Sequence, residues 1–223
     1  MKTIAHIENI FTEKFGIPRQ SGLVGVMSRI VLAEEYSDPS VYKGLEDYSH
    51  VWLLWEFSEN KKVPFSPTVR PPRLGGNTRM GVFATRSPYR PNNIGLSCVK
   101  IEKIELQTPD GPVLWVSGAD LMNGTPILDI KPYLPHADSI PDAKGGFSTQ
   151  VEWETLEVEI PENLKALIPA EHQETIINLL SQDPRPAYQN DPEKVYGVTY
   201  GGQNIRFKVS NNILKVIEIT EAE

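Results

Sequence analysis

Prolines and glycines divide the first 150 residues of this 223-residue chain into short apolar runs. The chain has 19 prolines and 16 glycines, and the runs between them are too short for long helices. Five runs have the length and apolar content of β-strands: 23–32, 51–57, 81–85, 98–106 and 113–117. Asp110-Gly111 predicts a hairpin turn between the last two. Many short strands separated by turns predict a compact β-barrel.

The pattern changes after residue 149. Residues 164–180 carry apolar side chains at helical spacing, with an interruption at Pro169. Three strands joined by two tight turns follow: 195–200, 204–209 and 213–219, with turns at Gly201-Gly202 and Asn211-Asn212. The predicted fold is therefore mainly β, with a compact β-barrel domain at 1–149 and a small α+β C-terminal appendage at 150–223.

Composition narrows the compartment and the chemistry. A single cysteine, Cys98, argues against a disulfide framework and a cysteine-rich zinc site, and the four histidines lack metal-ligand spacing. Residues 1–15 have no apolar core of a secretion signal, and no stretch approaches the roughly 20 apolar residues of a membrane span. We therefore predict a cytoplasmic protein with no metal and no membrane partner.

The basic residues are concentrated in one part of the chain. The formal net charge of −7, taken alone, disfavours a nucleic-acid partner. Yet no acidic residue occurs between Glu59 and Glu102, where eight of the 22 basic residues lie. We predict that an anionic partner docks on this segment. A solvated loop whose arginines pair with acids from other segments is the alternative.

Familiar nucleotide-binding and nucleophile motifs, GxGxxG, the P-loop and GxSxG, are absent. Residues 70–97 instead form an arginine segment, RPPRLGGNTRMGVFATRSPYRPNNIGLS, whose prolines and glycines fix an irregular backbone. Guanidinium groups offer parallel donors to phosphates and carboxylates, and a tyrosine can stack on a base. The predicted substrate contacts are Arg70, Arg73, Arg79, Tyr89 and Arg90. A rigid structural crossover is the alternative.

A second polar cluster lies at 120–139. Asn123-Gly124 begins a turn that exposes backbone polar groups, as a small polar ligand requires. Asp129, Lys131 and Tyr133 alternate and would share one face of an extended segment. We predict Asp129 and Tyr133 as acid–base groups and Lys131 as a substrate contact. A routine surface pair of Asp129 and Lys131 fits the pattern equally well.

Five motifs occur in order along the chain: KFGIPRQSGL (14–23), GLEDYSHVWLL (44–54), the arginine segment, DLMNGTPILDIKPYLP (120–135) and DPRPAY (183–188). Together they resemble the TsaA/TrmO family, tRNA adenosine N6-methyltransferases that act next to the anticodon. The resemblance covers nearly the whole chain. Three positions depart from the family pattern, since Ser21 and Asn93 stand where proline is usual and Ser58 where histidine is frequent.

The resemblance implies a β-barrel enzyme that binds S-adenosylmethionine close to a homodimer interface. It implies N6-methylation of a threonylcarbamoylated adenosine in the anticodon loop of a threonine-accepting tRNA. In the appendage, Arg185 and Tyr188 are candidate anticodon-loop contacts. The cofactor contacts carried over from the family are Arg19, Gln20, Gly22, Leu23, Ser58, Arg86, Leu96, Asp120, Leu121, Asn123 and Gly124.

Methyl transfer from a sulfonium is a direct displacement that depends mainly on alignment. The N6 nitrogen must also lose a proton. We hypothesise that Asp129 or Tyr133 accepts it while Arg86 or Arg90 holds a substrate carboxylate or phosphate. Two other functions stay open at this point: a non-catalytic RNA-binding module, and an S-adenosylmethionine-dependent methyltransferase that acts on a small molecule.

Overall fold

The structure is a computed structural model that describes residues 1–60, 64–71, 74, 77–149, 155–185 and 191–222. The strands in these ranges are β1 (Ala5–Glu8), β2 (Met27–Leu32), β3 (His50–Glu56), β4 (Thr68–Val69), β5 (Met80–Gly81), β6 (Ile94–Glu105), β7 (Val113–Ser117), β8 (Pro126–Pro132), β9 (Glu157–Glu159), β10 (Tyr196–Tyr200), β11 (Gln203–Ser210) and β12 (Ile213–Glu221). The α-helices are α1 (Pro135–Asp138), α2 (Glu162–Lys165) and α3 (Ala170–Ser181). Short 3-10 helices are Glu34–Tyr36, Pro39–Tyr42, Leu45–Asp47, Val82–Ala84 and Gly146–Thr149. Across these described ranges, no helix has the length and apolar content needed to cross a bilayer.

A closed antiparallel barrel accounts for most strands in the described part of the first 132 residues. Its order is β1-β2-β7-β6-β3-β8, and pairing of β1 with β8 closes it. Closure leaves no exposed sheet edge in the barrel. The predicted hairpin between β6 and β7 is confirmed, with Gly111 at a φ of 80° in its turn. The prediction of a mainly β, barrel-like fold is therefore confirmed.

Strand β3 shows how the barrel is filled. Val51, Leu53 and Trp55 point inward and are nearly fully buried, whereas Trp52 and Leu54 lie half-buried on the outside. Both kinds of position are apolar because the outer side chains are themselves partly covered. The strand is central in the sheet, paired with β6 on one edge and with β8 on the other.

Two predicted strands differ from the structure. Residues 81–85 do not form one strand, so that prediction is wrong: β5 ends at Gly81 and the chain then enters the 3-10 helix Val82–Ala84. Thr85 Oγ1 donates to the Val82 carbonyl (2.9 Å), a local bond that competes with ladder formation. The predicted strand at 23–32 is confirmed only from Met27, where β2 begins.

The appendage is a sheet covered by α3. Its order is β10-β11-β12-β9, antiparallel except for the parallel pair β12 and β9. The predicted meander is confirmed, and its turns have the positive φ values that two-residue hairpins require, 50° at Asn211 and 62° at Asn212. The predicted helix interrupted near Pro169 is confirmed as α2 and α3.

The core of the appendage includes residues from the start of the chain. Phe11, Val24 and Val26 are nearly fully buried in the same cluster as Leu180 and other residues of α3, β10, β11 and β12. The Tyr200 hydroxyl also donates to a carbonyl of the loop after β1. The loop between β1 and β2 therefore joins barrel and appendage. The division into 1–149 and 150–223 stays a prediction.

Candidate functional site

A cavity of about 490 Å³ lies between the loop after β1 and one rim of the barrel. Its volume is within the range of small-molecule sites. The residues that line the cavity come from four parts of the chain that lie far apart in the sequence: 14–20, 55–60, 85–96 and 120–125. Six of the predicted cofactor residues line it: Arg19, Gln20, Ser58, Arg86, Leu96 and Asp120.

The other five predicted cofactor residues do not line this cavity: Gly22, Leu23, Leu121, Asn123 and Gly124. In the predicted turn at Asn123-Gly124, polar groups form hydrogen bonds with other parts of the protein instead of facing the cavity. Asn123 Oδ1 accepts from the Asn9 N–H (3.0 Å), and the Gly124 N–H donates to the Ile7 carbonyl (2.8 Å). Leu121 is 1% exposed and belongs to the barrel core. The neighbouring Met122 and Thr125 line the cavity instead.

A hydrogen-bond chain places the Asp120 carboxylate at the cavity wall. Trp55 Nε1 donates to Ser97 Oγ (2.9 Å), and Ser97 Oγ donates to Asp120 Oδ1 (2.5 Å). Burial raises the pKa of the Asp120 carboxyl, while the Ser97 hydrogen bond and the nearby Arg86 oppose that rise. Within the described residues, Asp120 forms no salt bridge. Its carboxylate is therefore available to a cationic ligand group.

Two arginines connect the cavity to its surroundings. Arg86 Nη1 donates to Gln20 Oε1 (2.5 Å), so both side chains are held at the cavity mouth. Arg19 Nη2 donates to the carbonyls of Asp183 (3.2 Å) and Arg185 (3.0 Å), at the end of the segment that follows α3. The cavity wall is therefore tied to the appendage.

The apolar wall of the cavity was not predicted from the sequence. The Trp55 and Phe57 rings pack in a tilted arrangement, with a centroid distance of 4.2 Å and an interplanar angle of 56°, and they line the cavity together with Met122. Gly95 leaves room for the Trp55 ring, because a Cβ there would lie 2.2 Å from it. A sequence signal exists, since the alternation in β3 turns Trp55 inward at the end of the strand where the rim begins.

A wider cleft of about 1570 Å³ adjoins the cavity. Seven residues line both and form a common wall: Lys14, Ile17, Arg19, Gln20, Thr85, Arg86 and Pro88. No carboxylate is among the described residues that line the cleft, whereas six cations do: Lys14, Arg19, Arg70, Arg79, Arg86 and Arg185. Of these six, only Arg185 forms a salt bridge to a described carboxylate, that of Asp183. The other five charges are available to an anion.

The structure brings most of the predicted substrate contacts to this cleft. Arg70 and Arg79 line it, as does Tyr89, which is 50% exposed. Arg73 and Tyr188 lie outside the described residues. The arginine segment has no acidic residues, and the described residues that line the cleft it helps to form have none either.

Arg90 is used differently. Its Nη1 donates to the carbonyls of Val82 (3.1 Å) and Thr85 (2.9 Å), and its guanidinium lies 5.3 Å from the centre of the Phe83 ring. Arg90 therefore fixes the turn that carries Phe83. It also lines the cavity, so its predicted contact with substrate stays a prediction.

Asp129, Lys131 and Tyr133 line neither the cavity nor the cleft. Lys131 Nζ and Asp129 Oδ2 form a salt bridge of 2.8 Å on the outside of β8. Tyr133 packs against Trp52 at a centroid distance of 5.9 Å. The structure therefore contains the surface pair that the sequence left open, while the catalytic role stays a prediction.

Asp129 and Lys131 border a surface that we call the outer barrel face, formed by Trp52, Leu54, Leu96 and Cys98. Leu54 pairs with Leu96 on one side and with Asp129 on the other. Leu96 is 48% exposed and also lines the cavity. The outer barrel face is therefore continuous with the cavity rim.

Fold and site together define a class: a β-barrel protein with a small-molecule cavity whose wall is shared with a cationic cleft. No group of three or more His, Cys, Asp or Glu side chains in the described ranges is placed to hold a metal ion. The cavity has the volume and apolar wall of a small-molecule site, and the cations of the cleft suit a polyanion.

Known proteins resemble this chain in both architecture and sequence. The family described as tRNA-methyltransferase O N-terminal domain matches residues 6–139, and the TrmO C-terminal domain matches residues 148–222. The chain belongs to the TrmO family. The resemblance predicted from its motifs is confirmed.

Relatives cover nearly the full chain. An Escherichia coli K12 protein named tRNA (adenine(37)-N6)-methyltransferase is 41% identical over 217 residues, which span 93% of this chain and 92% of that protein. A Pseudomonas aeruginosa protein described as a candidate S-adenosylmethionine-dependent methyltransferase is 38% identical over 97% of this chain and 95% of its own length. The crystal structure of TrmO from P. aeruginosa superposes with a TM-score of 0.80 at 34% identity, covering 99% of this chain and 95% of that one.

Proposed function

We propose that this chain is an enzyme that transfers a methyl group from S-adenosylmethionine to N6 of an adenosine in tRNA. The E. coli relative named for this activity at position 37 supports the proposal. The observation that carries it is the common wall of cavity and cleft, which includes Arg86. A methyl donor in the cavity and an RNA in the cleft would meet at this wall.

The cavity suits S-adenosylmethionine chemically. Asp120 offers a partly buried, unpaired carboxylate to a cationic group, and Arg86 offers a guanidinium to a carboxylate. Trp55, Phe57 and Met122 supply an apolar wall for an adenine ring and a thioether chain. When bound, the cofactor supplies an electrophilic methyl group on a sulfonium. The relative described as a methyltransferase dependent on this cofactor supports the assignment.

The residues contribute mainly alignment and electrostatics. Asp120 is fixed by Ser97, so its charge is held in place before ligand binding. Arg86 stands where an anionic substrate group in the cleft would approach the cavity. Within one chain, Asp120 is better placed than Asp129 to lie next to the methyl donor. Asp120 lines the cavity, whereas Asp129 is paired with Lys131 outside it.

We infer that the adenosine is the one next to the anticodon and carries a threonylcarbamoyl group, in a threonine-accepting tRNA. A carbamoyl substituent withdraws electrons from N6 and makes its proton easier to remove, which lessens the need for a strong base. Its carboxylate also suits a cleft in which five cations form no salt bridge to a described carboxylate. We propose a cytoplasmic location, which is consistent with a tRNA substrate.

A second copy of the chain is proposed to dock on the outer barrel face. Leu54, Leu96 and Trp52 are partly exposed apolar side chains there, and Leu96 reaches the cavity rim. A dimer formed through this face would place the partner's surface beside the cofactor. It would also bring Asp129 and Tyr133 close to an interface, the arrangement in which their predicted acid–base role is possible.

Replacing Leu54 with aspartate is expected to yield a monomer, because a charge would be buried in the proposed interface beside Asp129. Sedimentation velocity of the wild type and the variant measures this directly. The matched control is Leu167→Asp, an exposed leucine between α2 and α3 of the appendage. A Leu54→Asp protein that sediments as a dimer would contradict the proposed interface.

The affinity for tRNA is expected to fall steeply with salt. If all five unpaired cations of the cleft contact phosphates of a single strand, the logarithmic slope is about −3.5. Arg79→Ala should reduce the magnitude of that slope by about 0.7 to 1. Arg206→Ala, which removes a cation already paired with Glu218, should leave it unchanged. Fluorescence anisotropy between about 50 and 200 mM salt gives both slopes.

The two other functions make different predictions. A non-catalytic RNA-binding module has no use for the cofactor, so equilibrium dialysis with labelled S-adenosylmethionine would detect no binding. A methyltransferase of small molecules would bind the cofactor but show no steep salt dependence with tRNA. We expect cofactor binding and a steep slope together.

A further inference from the structure

The turn formed by Val82–Ala84 presents an aromatic ring to the cleft. Phe83 is 73% exposed, although the neighbouring Val82 is only 2% exposed and anchors the turn. The Val82 N–H donates to the Pro67 carbonyl (2.9 Å), and this bond holds the turn against the preceding segment of the chain. A fixed turn that leaves a phenylalanine in water forgoes the favourable burial of that ring. An exposed aromatic ring in a cleft lined by cations is a platform on which a nucleobase can stack.

Arg90 completes the arrangement of the ring. Its guanidinium lies 5.3 Å from the Phe83 centroid and is itself held by the carbonyls of Val82 and Thr85. One side of the ring is thus supported by a cation, and its position is set before any ligand arrives. A preorganised ring loses less conformational freedom on binding than a mobile one.

The surroundings of Phe83 indicate what the ring binds. It lines the cleft together with Arg70, Arg79 and Tyr89, where no described carboxylate occurs, and it does not line the cofactor cavity. Cations that follow a phosphate backbone, interleaved with exposed aromatic rings, are the arrangement that recognises unpaired nucleotides. A purely apolar partner would leave these cations unpaired.

We propose that Phe83 is a positioning residue that stacks on an unpaired nucleobase of the RNA substrate and thereby sets the register of the loop relative to the cavity. This inference rests on the proposed function, because it requires an RNA in the cleft. Stacking uses the face of any base, so Phe83 distinguishes single-stranded from paired RNA. It does not read sequence.

The test compares Phe83→Ala, Phe83→Leu and Phe83→Trp with the wild type. Leucine keeps an apolar side chain but removes the π face, and tryptophan keeps the face. Affinity is measured by anisotropy for an anticodon stem-loop and for a fully paired RNA duplex. Alanine and leucine should weaken stem-loop binding by roughly 5- to 150-fold, the range of base–aromatic stacking, and tryptophan should not. Duplex affinity and the salt slope should stay unchanged.

Two controls separate the outcomes. Tyr48→Ala, an exposed aromatic that lines neither cavity nor cleft, should bind like the wild type. Equilibrium dialysis with S-adenosylmethionine should give equal affinity for all Phe83 variants, which excludes stacking on the adenine of the cofactor. Wild-type affinity of Phe83→Leu for the stem-loop, or an equal loss on the duplex, overturns the inference alone. A wild-type protein that neither binds nor methylates tRNA overturns the proposed function.

Discussion

Asp120→Asn is expected to weaken S-adenosylmethionine binding by about 10- to 100-fold, the effect of losing a hydrogen bond to a charged group. The amide still accepts the hydrogen bond from Ser97 Oγ, so the Trp55–Ser97 chain can persist. Burial raises the pKa of the Asp120 carboxyl, which means that its ionised form opposes folding at neutral pH. Thermal stability should therefore stay the same or rise. Equilibrium dialysis and thermal denaturation measure the two effects separately.

The pH dependence follows from the same carboxyl. Because the folded-state pKa of Asp120 is raised, this group destabilises the fold as pH rises through that pKa and has no such effect in acid. Binding of a cationic ligand needs the ionised form, so cofactor affinity should decline in acid at a pH above the ordinary aspartate range. Asp129→Asn is the matched control, because that carboxylate is exposed and paired with Lys131. An Asp129→Asn protein that loses cofactor affinity while Asp120→Asn keeps it would reverse the assignment.

Arg86→Ala is expected to lower kcat/KM for tRNA methylation by about 100-fold, since a guanidinium that bonds a charged substrate group is lost. Arg86 lines both cavity and cleft, and its Nη1 also holds Gln20 at the cavity mouth. Its charge further lowers the pKa of Asp120, so its removal should move the acid limb of cofactor binding to higher pH. Steady-state kinetics and dialysis over a pH series detect both consequences.

Arg86→Lys should recover only part of the activity, because an ammonium restores the charge without the planar pair of donors. The control Arg206→Ala removes an arginine that is paired with Glu218 and lines neither site. If Arg86→Ala and Arg206→Ala have the same kcat/KM, the common wall of cavity and cleft has no part in catalysis.

Local chemistry explains which parts of the fold were predictable. The turns at Asp110-Gly111 and Asn211-Asn212 specify hairpins through their own backbone preferences, and both hairpins are present. The pairing of β1 with β8 and the order β6-β3-β8 depend on contacts between residues far apart in sequence. No periodicity within one segment encodes such contacts. The sequence therefore predicts a β-barrel without its strand order.

The candidate site shows the same division. The acid-free arginine segment predicted a cationic surface, because charge is a property of the sequence itself. Whether a particular polar group is free for a ligand depends on its distant partner. Asn123 bonds to Asn9 of the loop after β1, and Arg90 bonds to carbonyls of its own turn. Ser97, hidden within β6, was missed for that reason, since only the folded barrel places it against Asp120.

Methyl transfer to defined tRNA substrates tests the central claim most directly. The purified protein is incubated with methyl-labelled S-adenosylmethionine and with one tRNA in two forms, with and without the threonylcarbamoyl group on the adenosine next to the anticodon. Label at N6 of the carbamoylated adenosine, with little or none in the unmodified tRNA, is the predicted result. A protein that binds both the cofactor and the carbamoylated tRNA yet leaves that tRNA unlabelled contradicts the proposed enzyme.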